Sequence, residues 1–376
     1  MNDQERLYAM ALAQVFRFTP AELLRLYRTV GSASAIMQLA EDNTGHDIQL
    51  APKTKETLRN MEKHIARAAE ELEYAREQGI KVLVWSDDDY PKRLCECDDA
   101  PLVLYYRGTA DLNGRRIISV VGTRHATVYG QDLIRRFMLD LKQSCPDALI
   151  VSGLAYGVDI CAHRNALEQG METVGVLAHG SDELYPSAHR DTANRMVSQG
   201  GLLTEYMRKT RADKVNFVKR NRIVAGLADA CVIIESASKG GGLITAHIAR
   251  AYNREVFAFP GRTGDQHSQG CNLLIRDQVA ALITSADDFI TAMGWEDDAA
   301  LLKAKRTGIE RELFPQLSAD EQIVVDVLSK TNDLQINVLT VKTNIPVGKL
   351  SALLFGLEMK GVVRTMAGGT YHLFHS

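Results

Sequence analysis

The sequence lacks several features that would place it in particular protein classes. No apolar run approaches the ~18 residues of a membrane-spanning helix, and the opening Met-Asn-Asp-Gln-Glu-Arg lacks the basic and apolar segments of a secretory leader. These absences predict a cytoplasmic protein with no membrane partner. The six cysteines include no C-x-x-C pair and several sit in strand-like apolar runs, so buried thiols in a reducing compartment are expected, with neither disulfides nor zinc or another metal. A G-x-G-x-x-G opening a helix after the first core strand is missing, as is G-x-x-x-x-G-K-[ST]; neither a dinucleotide site nor a P-loop is supported, and no cofactor is expected. There are no internal repeats or low-complexity tracts. A strong excess of one charge is also lacking, since 44 Lys and Arg face 47 Asp and Glu for a net charge of −3. That balance excludes a histone-like coat of non-specific contacts but leaves room for a local nucleic-acid site.

What is present is ordinary globular material: 376 residues, 45% hydrophobic and 24% charged, enough for two or three domains. From Glu5 to about Gln78 apolar residues recur at helical spacing, as in Leu7, Met10, Ala11 and Val15, with turns at Thr19-Pro20 and Val30-Gly31-Ser32. A small helical domain over residues 1–78 is predicted. Across residues 79–294 short β-branched runs alternate with helical stretches: Lys81–Trp85, Arg116–Val121, Ala148–Val151, Thr173–Leu177, Gly201–Glu205, Ala230–Glu235 and Glu255–Phe259. That pattern predicts an α/β core, a parallel sheet covered by helices on both faces. Residues 295–316 are charged, end near Phe314-Pro315 and read as a linker. Residues 317–376 follow the order of a winged helix: helices over Ala319–Leu328, Ile336–Thr343 and Val347–Lys360, then strands over Val362–Thr365 and Thr370–Leu373 around an Ala367-Gly368-Gly369 wing.

Between Met207 and Arg222 seven Lys or Arg residues face a single acid, Asp213, with Phe217 among them. The segment reads as a loop entering the buried run Ile223–Ile234. Cations neutralise phosphates and an aromatic face stacks on bases, so this mixture suits a single-stranded nucleic-acid groove. A solvated basic loop is the plain alternative, and for Phe217 a core strand with Val215 and Val218. Three Gly-rich turns follow expected strands: Gly122-Thr123-Arg124, Ser152-Gly153-Leu154, and Gly240-Gly241-Gly242 with Thr245. Such turns let another backbone approach and aim amide donors at anions, at the strand ends where open α/β sheets hold ligands. One such turn is weak evidence; three converging on one sheet edge are stronger.

The motifs Val121-Gly122-Thr123-Arg124, Ser152-Gly153-Leu154-Ala155-x-Gly157-Val158-Asp159, His163, Tyr185-Pro186, Thr204-Glu205-Tyr206, Phe217-x-x-Arg220-Asn221-Arg222, Gly240-Gly241-Gly242-Leu243-Ile244-Thr245 and Val256-Phe257-Ala258-x-Pro260-Gly261 resemble, in order and spacing, the DNA-processing protein A (DprA/Smf) family. The resemblance spans roughly Gly79 to Asp288; only the plan agrees at the ends. It implies an extended Rossmann-like domain with a SAM-like helical N-terminal domain and a C-terminal winged helix. It also implies a protein that binds single-stranded DNA and helps load the RecA recombinase during natural transformation, without established catalysis. By the same resemblance Arg124 matches the basic residue after the Gly turn, Lys214 and Phe217 match the phosphate and base-stacking positions, and Arg220, Asn221 and Arg222 match an Arg-Asn-Arg motif. Gly122, Thr123, Gly153, Gly240, Gly241, Gly242 and Thr245 complete the expected DNA-binding set. Thr123 stands where the family usually has Ser and keeps the hydroxyl, whereas Gly240-Gly241-Gly242 replaces Ser-Gly-Ser and Ala178-His179-Gly180-Ser181-Asp182 replaces a Gly-Thr-Gly-Leu-Asp type turn, so hydrogen bonds from those hydroxyls are lost. His179 and His189 read as surface residues able to add charge below pH ~6.5.

Enzymatic readings have less support. Asp159 and His163, four apart, share a helix face but have no evident third ligand, so a helix-orienting role is expected. Ser152 lacks a G-x-S-x-G frame, and Cys161 lies in an apolar context that marks no activation. A Rossmann-like nucleotide hydrolase would want Pro-Gly-Gly-x-Gly-Thr-x-x-Glu, and Gly240–Ile248 has no such Glu. A winged-helix transcription regulator would read DNA through Val347–Lys360, whose only cations are Lys349 and Lys360, a set equally suited to a protein partner. The expectation is therefore a single-stranded DNA-binding mediator with no catalytic residue. Aliphatic residues from Leu273 to Ile283 exceed what one helix face needs, so a homodimer through Leu274 or Ile275 is expected, with core packing as the alternative.

Overall fold

Asn2 and Ser32 accept hydrogen bonds from the amides of Glu5 and Ala35, Pro20 opens a helix, and Gly31 closes it at φ 92°. These capping residues cut the N-terminal region into α1 (Asp3–Val15), α2 (Pro20–Val30) and α3 (Ala33–Gln38), followed by α4 (Pro52–Arg59) and α5 (Glu62–Glu77). The computed structural model describes residues 2–39, 50–295, 317–360, 362–366 and 369–373. The expected linker from residue 296 onward, and residues 367–368 of the expected wing, lie outside them. The chain divides into two compact units, residues 1–300 and 301–376.

In the first unit β1 (Lys81–Val84), α6 (Lys92–Cys95) and β2 (Val103–Gly108) lead into β3 (Ile117–Val121), α7 (Val128–Ser144), β4 (Leu149–Ser152), α8 (Val158–Glu168), β5 (Thr173–Val176), α9 (Arg190–Ser198) and β6 (Gly200–Thr204). The unit continues through α10 (Lys214–Gly226), β7 (Ala230–Ile233), α11 (Gly241–Ala251), β8 (Glu255–Ala258), α12 (Gln269–Arg276), β9 (Ala281–Leu282) and α13 (Ala286–Ala292). Among the described residues the strands form one nine-stranded sheet in the order β1-β2-β6-β5-β4-β3-β7-β8-β9. Every expected strand is present, and the pairing from β6 to β9 is parallel. The sheet is not parallel throughout: β2, unread in the sequence, runs antiparallel to both β1 and β6.

Alternate residues of each strand feed opposite faces. Val121, Val151 and Ile233 pack with Ile223, Val224, Ala246 and Ala249 of α10 and α11, whereas Ile118, Val120 and Ile150 pack with Ile134, Phe137 and Val158 of α7 and α8. The N-terminal helices do not stand apart, since Ala9, Leu12, Leu23 and Leu72 share an apolar cluster with Val82, Val103 and Tyr105. Strand order reverses between β3 and β7, where the following helices go to opposite faces. The crevice left there is the switch point at which open α/β sheets bind ligands.

Two expectations change in this unit. The basic stretch is loop only as far as Asp213, and from Lys214 it is helix: Asp213 caps α10 by accepting from the Asn216 amide at 2.7 Å, and Val215 and Val218 are exposed, which removes the core-strand alternative for Phe217. Leu274 is 3% exposed within the core, and Ile275 packs partly buried against the same cluster. Leu274 therefore has no surface to offer a partner, because the apolar excess of this segment fills the space against β8.

The second unit contains α14 (Ala319–Lys330), β10 (Leu334–Gln335), α15 (Ile336–Thr343), α16 (Val347–Met359), β11 (Val363–Met366) and β12 (Thr370–Leu373), with sheet order β10-β12-β11. Ser318 and Glu321 form a capping box, and Val324, Leu339, Leu350, Leu354 and Val363 make the core. This is a winged-helix arrangement, the short β10 being its addition to the expected elements.

Candidate nucleic-acid interface

Beyond the carboxyl ends of β3, β4 and β7 lies an open cavity of about 720 Å³. Its first wall is the turn after β3. Gly122 has no room for a side chain: a Cβ there would sit 2.6 Å from Val158 Cγ2 and 2.7 Å from the Glu235 carbonyl. Thr123 donates its amide to Glu235 O at 2.7 Å and accepts from the Val158 amide at 3.0 Å. The buried Glu235 carboxylate takes the Thr127 amide at 2.9 Å and the Thr127 hydroxyl at 2.5 Å. The turn is thus pinned on both sides, and Arg124 projects from it, exposed, at the rim.

The second wall is the start of α11, where Gly240, Gly241 and Gly242 present a helix N-terminus, Gly242 packing against Gly122. First-turn amides have no partner within their own helix and carry the positive end of its dipole, an environment for phosphate. The third wall is α10, which supplies Lys214, Phe217, Arg220 and Asn221 at successive turns. Lys214 is exposed and Phe217 half-buried. The Arg124 guanidinium lies 4.9 Å from the Phe217 ring centroid and that of Arg220 5.8 Å, while the Tyr185 ring centroid is 5.8 Å away, its plane tilted by 58°. An aromatic ring among cations beside a helix N-terminus can take a base on its face and phosphates on its rim.

Of the residues singled out in the sequence, Gly122, Thr123, Arg124, Gly153, Lys214, Phe217, Arg220, Asn221, Gly240, Gly241, Gly242 and Thr245 all line this cavity. Arg222 does not. It is buried, with Nη2 2.5 Å from Glu205 Oε2 and Nε 3.9 Å from Asp99 Oδ2. Consecutive helix residues point about 100° apart, so Arg220, Asn221 and Arg222 fan out to three environments. Arg220 is itself an internal brace: Nη1 donates to the carbonyls of Gly153, at 2.5 Å, and Val176. A side chain at position 153 would collide with that guanidinium, which is why glycine is required there. Burial lowers the pKa of Arg220, opposed chiefly by the charge of Asp159. Burial also raises the pKa of Asp159, opposed by Arg220.

His163, on the same face of α8 as Asp159, bonds to Thr173 Oγ1 through Nδ1 at 2.7 Å. Burial first, and then the Arg220 charge, pushes its pKa down to about 3, so the ring is neutral. Both residues brace the fold, and no His, Cys, Asp or Glu cluster able to hold a metal occurs among the described residues. Cys231 is likewise a core thiol, pushed by burial up to about 12.

His179 and His189 are buried, not on the surface. His189 Nδ1 donates to Leu154 O at 2.9 Å; His179 Nδ1 donates to Gly180 O at 2.8 Å, and its Nε2 accepts from the Tyr185 amide at 3.1 Å. His179 thereby sets the position of Tyr185, a cavity residue given no role in the sequence reading. Its signal in the sequence was the Tyr185-Pro186 motif. His125, beside Arg124, also lines the cavity and was not singled out.

Residues 81–294 match the DNA recombination-mediator protein A family, and residues 312–369 match the DprA winged helix domain. The chain belongs to this family. It is 34% identical over 272 residues to the DNA processing protein DprA of Bacillus subtilis, covering 72% of this chain and 89% of that protein. Among solved structures, DNA processing protein A of Streptococcus pneumoniae superimposes with a TM-score of 0.57 at 32% identity, over 68% of this chain and 90% of that one. The Helicobacter pylori protein, whose structure is described for its single-stranded DNA binding mode, gives a TM-score of 0.52 at 28% identity over 58% of this chain and 96% of that one. Membership assigns this protein a role in DNA processing. No helix among the described residues is long and apolar enough to cross a membrane.

Proposed function

We propose that this protein binds single-stranded DNA in the cavity between β3 and β7 and helps load the RecA recombinase onto it during DNA uptake and recombination, without catalysing a reaction. The observation that carries the reading is Phe217, a partly open ring with the exposed Arg124 guanidinium 4.9 Å from its centroid and the exposed Lys214 one turn away, on a helix braced from below by the buried Arg220. A base on the ring and phosphates on Arg124 and Lys214 use the aromatic and the two exposed Lys and Arg side chains of the site.

A nucleotide hydrolase is less well supported, because the carboxylates beside the cavity are engaged. Asp213 caps α10, Asp159 accepts from the Ala155 amide at 3.4 Å, and Glu235 holds Thr127. A duplex-reading regulator is also less well supported, since Lys349 lies 2.5 Å from Asp320 and Lys360 2.7 Å from Glu321. The reading places the protein in the cytoplasm as a homodimer, with Ile275 and its exposed neighbours, not Leu274, at the pairing surface. A monomer by light scattering at tens of micromolar would count against that dimer.

Binding to single- and double-stranded DNA, measured beside nucleotide hydrolysis, tests the main reading. Preference for single strands with no product release is expected. Preference for duplex that depends on the tail would favour the regulator, and product release the hydrolase. Faster assembly of RecA on single strands pre-coated with this protein is the expected partner effect.

A further inference from the structure

A second ring held by cations lies on the surface of the first unit, outside the cavity. Phe18, in the turn between α1 and α2, is 64% exposed. Arg17 Cζ lies 4.4 Å from its ring centroid and Lys219 Nζ 4.3 Å. Lys219 belongs to α10, the helix that carries Lys214 and Phe217 into the cavity, and its ammonium also donates to Arg17 O at 3.3 Å. A ring beside surface cations, as Phe217 lies beside Arg124, thus recurs on the other side of one helix.

The two places are joined by open surface. At about 100° per residue, Val218 stands beside Phe217 on the α10 wheel, Val215 comes next and Lys219 after it. Val218 lines the cavity at 45% exposure, and Val215 is 57% exposed. Phe18 and Arg17 are exposed and Lys219 is only partly buried, so burial fixes neither cation against the ring. The cations can move onto phosphates when a base takes the ring.

We infer that Phe18, Arg17 and Lys219 form a second stacking platform, over which single-stranded DNA leaving the cavity passes along the outer face of α10 onto the N-terminal helical region. This rests on the proposed single-stranded DNA binding in the cavity. A short oligonucleotide fills the cavity alone, whereas a longer one reaches Phe18.

The test is fluorescence anisotropy with oligothymidylates of about 6 and about 20 nucleotides, bracketing the site sizes usual for such proteins. Phe18→Ala should bind the short strand as the native protein does and weaken the long strand roughly fivefold or more, the low end for one stacking platform. Lys219→Ala should lower the salt slope for the long strand alone, by roughly 0.7. Phe18→Trp should restore long-strand affinity, which a purely structural link between α10 and the turn does not predict. Native affinity of Phe18→Ala for the long strand, while Phe217→Ala is weakened on both, overturns the platform and leaves the cavity reading intact. Equal loss on both lengths with a lowered melting temperature shows a structural link only and also overturns it. Failure of the native protein to bind either strand overturns both readings.

Discussion

The Arg124 guanidinium lies 4.9 Å from the centroid of the Phe217 ring, so the residue expected to hold phosphate and the residue expected to hold a base share one surface. In the sequence Arg124 and Phe217 stand far apart, as if charge and stacking were separate contributions. The structure couples them, because a base can occupy that ring face only as the guanidinium shifts toward the backbone phosphate.

Arg124→Ala should weaken binding to all sequences alike and lower the salt slope by roughly 0.7, and Phe217→Ala should cost about 1–3 kcal/mol of binding. Because the two touch, the double variant should depart from additivity by about 0.5–3 kcal/mol, whereas Lys214→Ala, exposed and apart from the stack, should add to Phe217→Ala. Anisotropy titrations at several salt concentrations supply the cycle. Strict additivity of Arg124 with Phe217 would show that the cation leaves the ring alone in solution, and unchanged affinity and slope in Arg124→Ala and Lys214→Ala together would remove the site.

Arg220→Ala should act on stability. It strips the carbonyls of Gly153 and Val176 of a donor and leaves Asp159 buried without its opposing charge, a loss of about 3–5 kcal/mol in urea unfolding. Arg222→Ala should also destabilise, through Glu205, yet leave the affinity of the folded protein unchanged, because Arg222 lies outside the cavity. A large affinity loss in folded Arg222→Ala would contradict this assignment.

The neutral, buried His163 should make stability fall with acidity. Its pKa is about 3 in the native state against about 6.5 unfolded, so between those values the unfolded chain binds the extra proton. Stability from this group is complete above pH ~6.5 and declines as pH falls toward about 3, at up to ~1.4 kcal/mol per pH unit. Asp159 works in the opposite sense: its raised pKa keeps the proton in the native state longer, so its contribution is lost as pH rises from about 4 through its native value. Urea unfolding at about pH 7, 6 and 5 should therefore show a steeper decline for the native protein than for His163→Gln. Parallel declines would mean that the imidazole charges within the fold.

Removing residues 317–376 should leave single-stranded DNA affinity within tenfold, about 1.4 kcal/mol. The two cations of the third tail helix segment are already neutralised, Lys349 by Asp320 and Lys360 by Glu321, and the cavity lies wholly in the first unit. A greater loss would make the tail part of the main binding surface.

Much of the site was legible because local chemistry announces it. Gly122, Gly153 and Gly240–Gly242 stand just after apolar strands, and Lys214 and Phe217 stand in the one conspicuously basic stretch. Less legible was the direction of each charge. Arg220 and Arg222 look alike in the chain, but a helix turns them into different environments, one to strand-end carbonyls and the other to Glu205. The antiparallel β2 escaped notice because it follows β1 with only a short helix between, outside the strand-helix alternation that revealed the parallel strands.

The sequence by itself determined the parallel core strands, the winged-helix order of the tail, the family and the loops that meet at the cavity, because periodicity, turn residues and motif spacing are local properties. Tertiary structure alone decided that Leu274 is core, that His179 sets Tyr185 in place, that Arg124 covers Phe217, and that Lys219 meets Phe18 across 201 positions of chain. Each of those depends on which surfaces are brought together when the sheet and its helices pack, and burial, charge pairing and ring contacts exist only after that has happened.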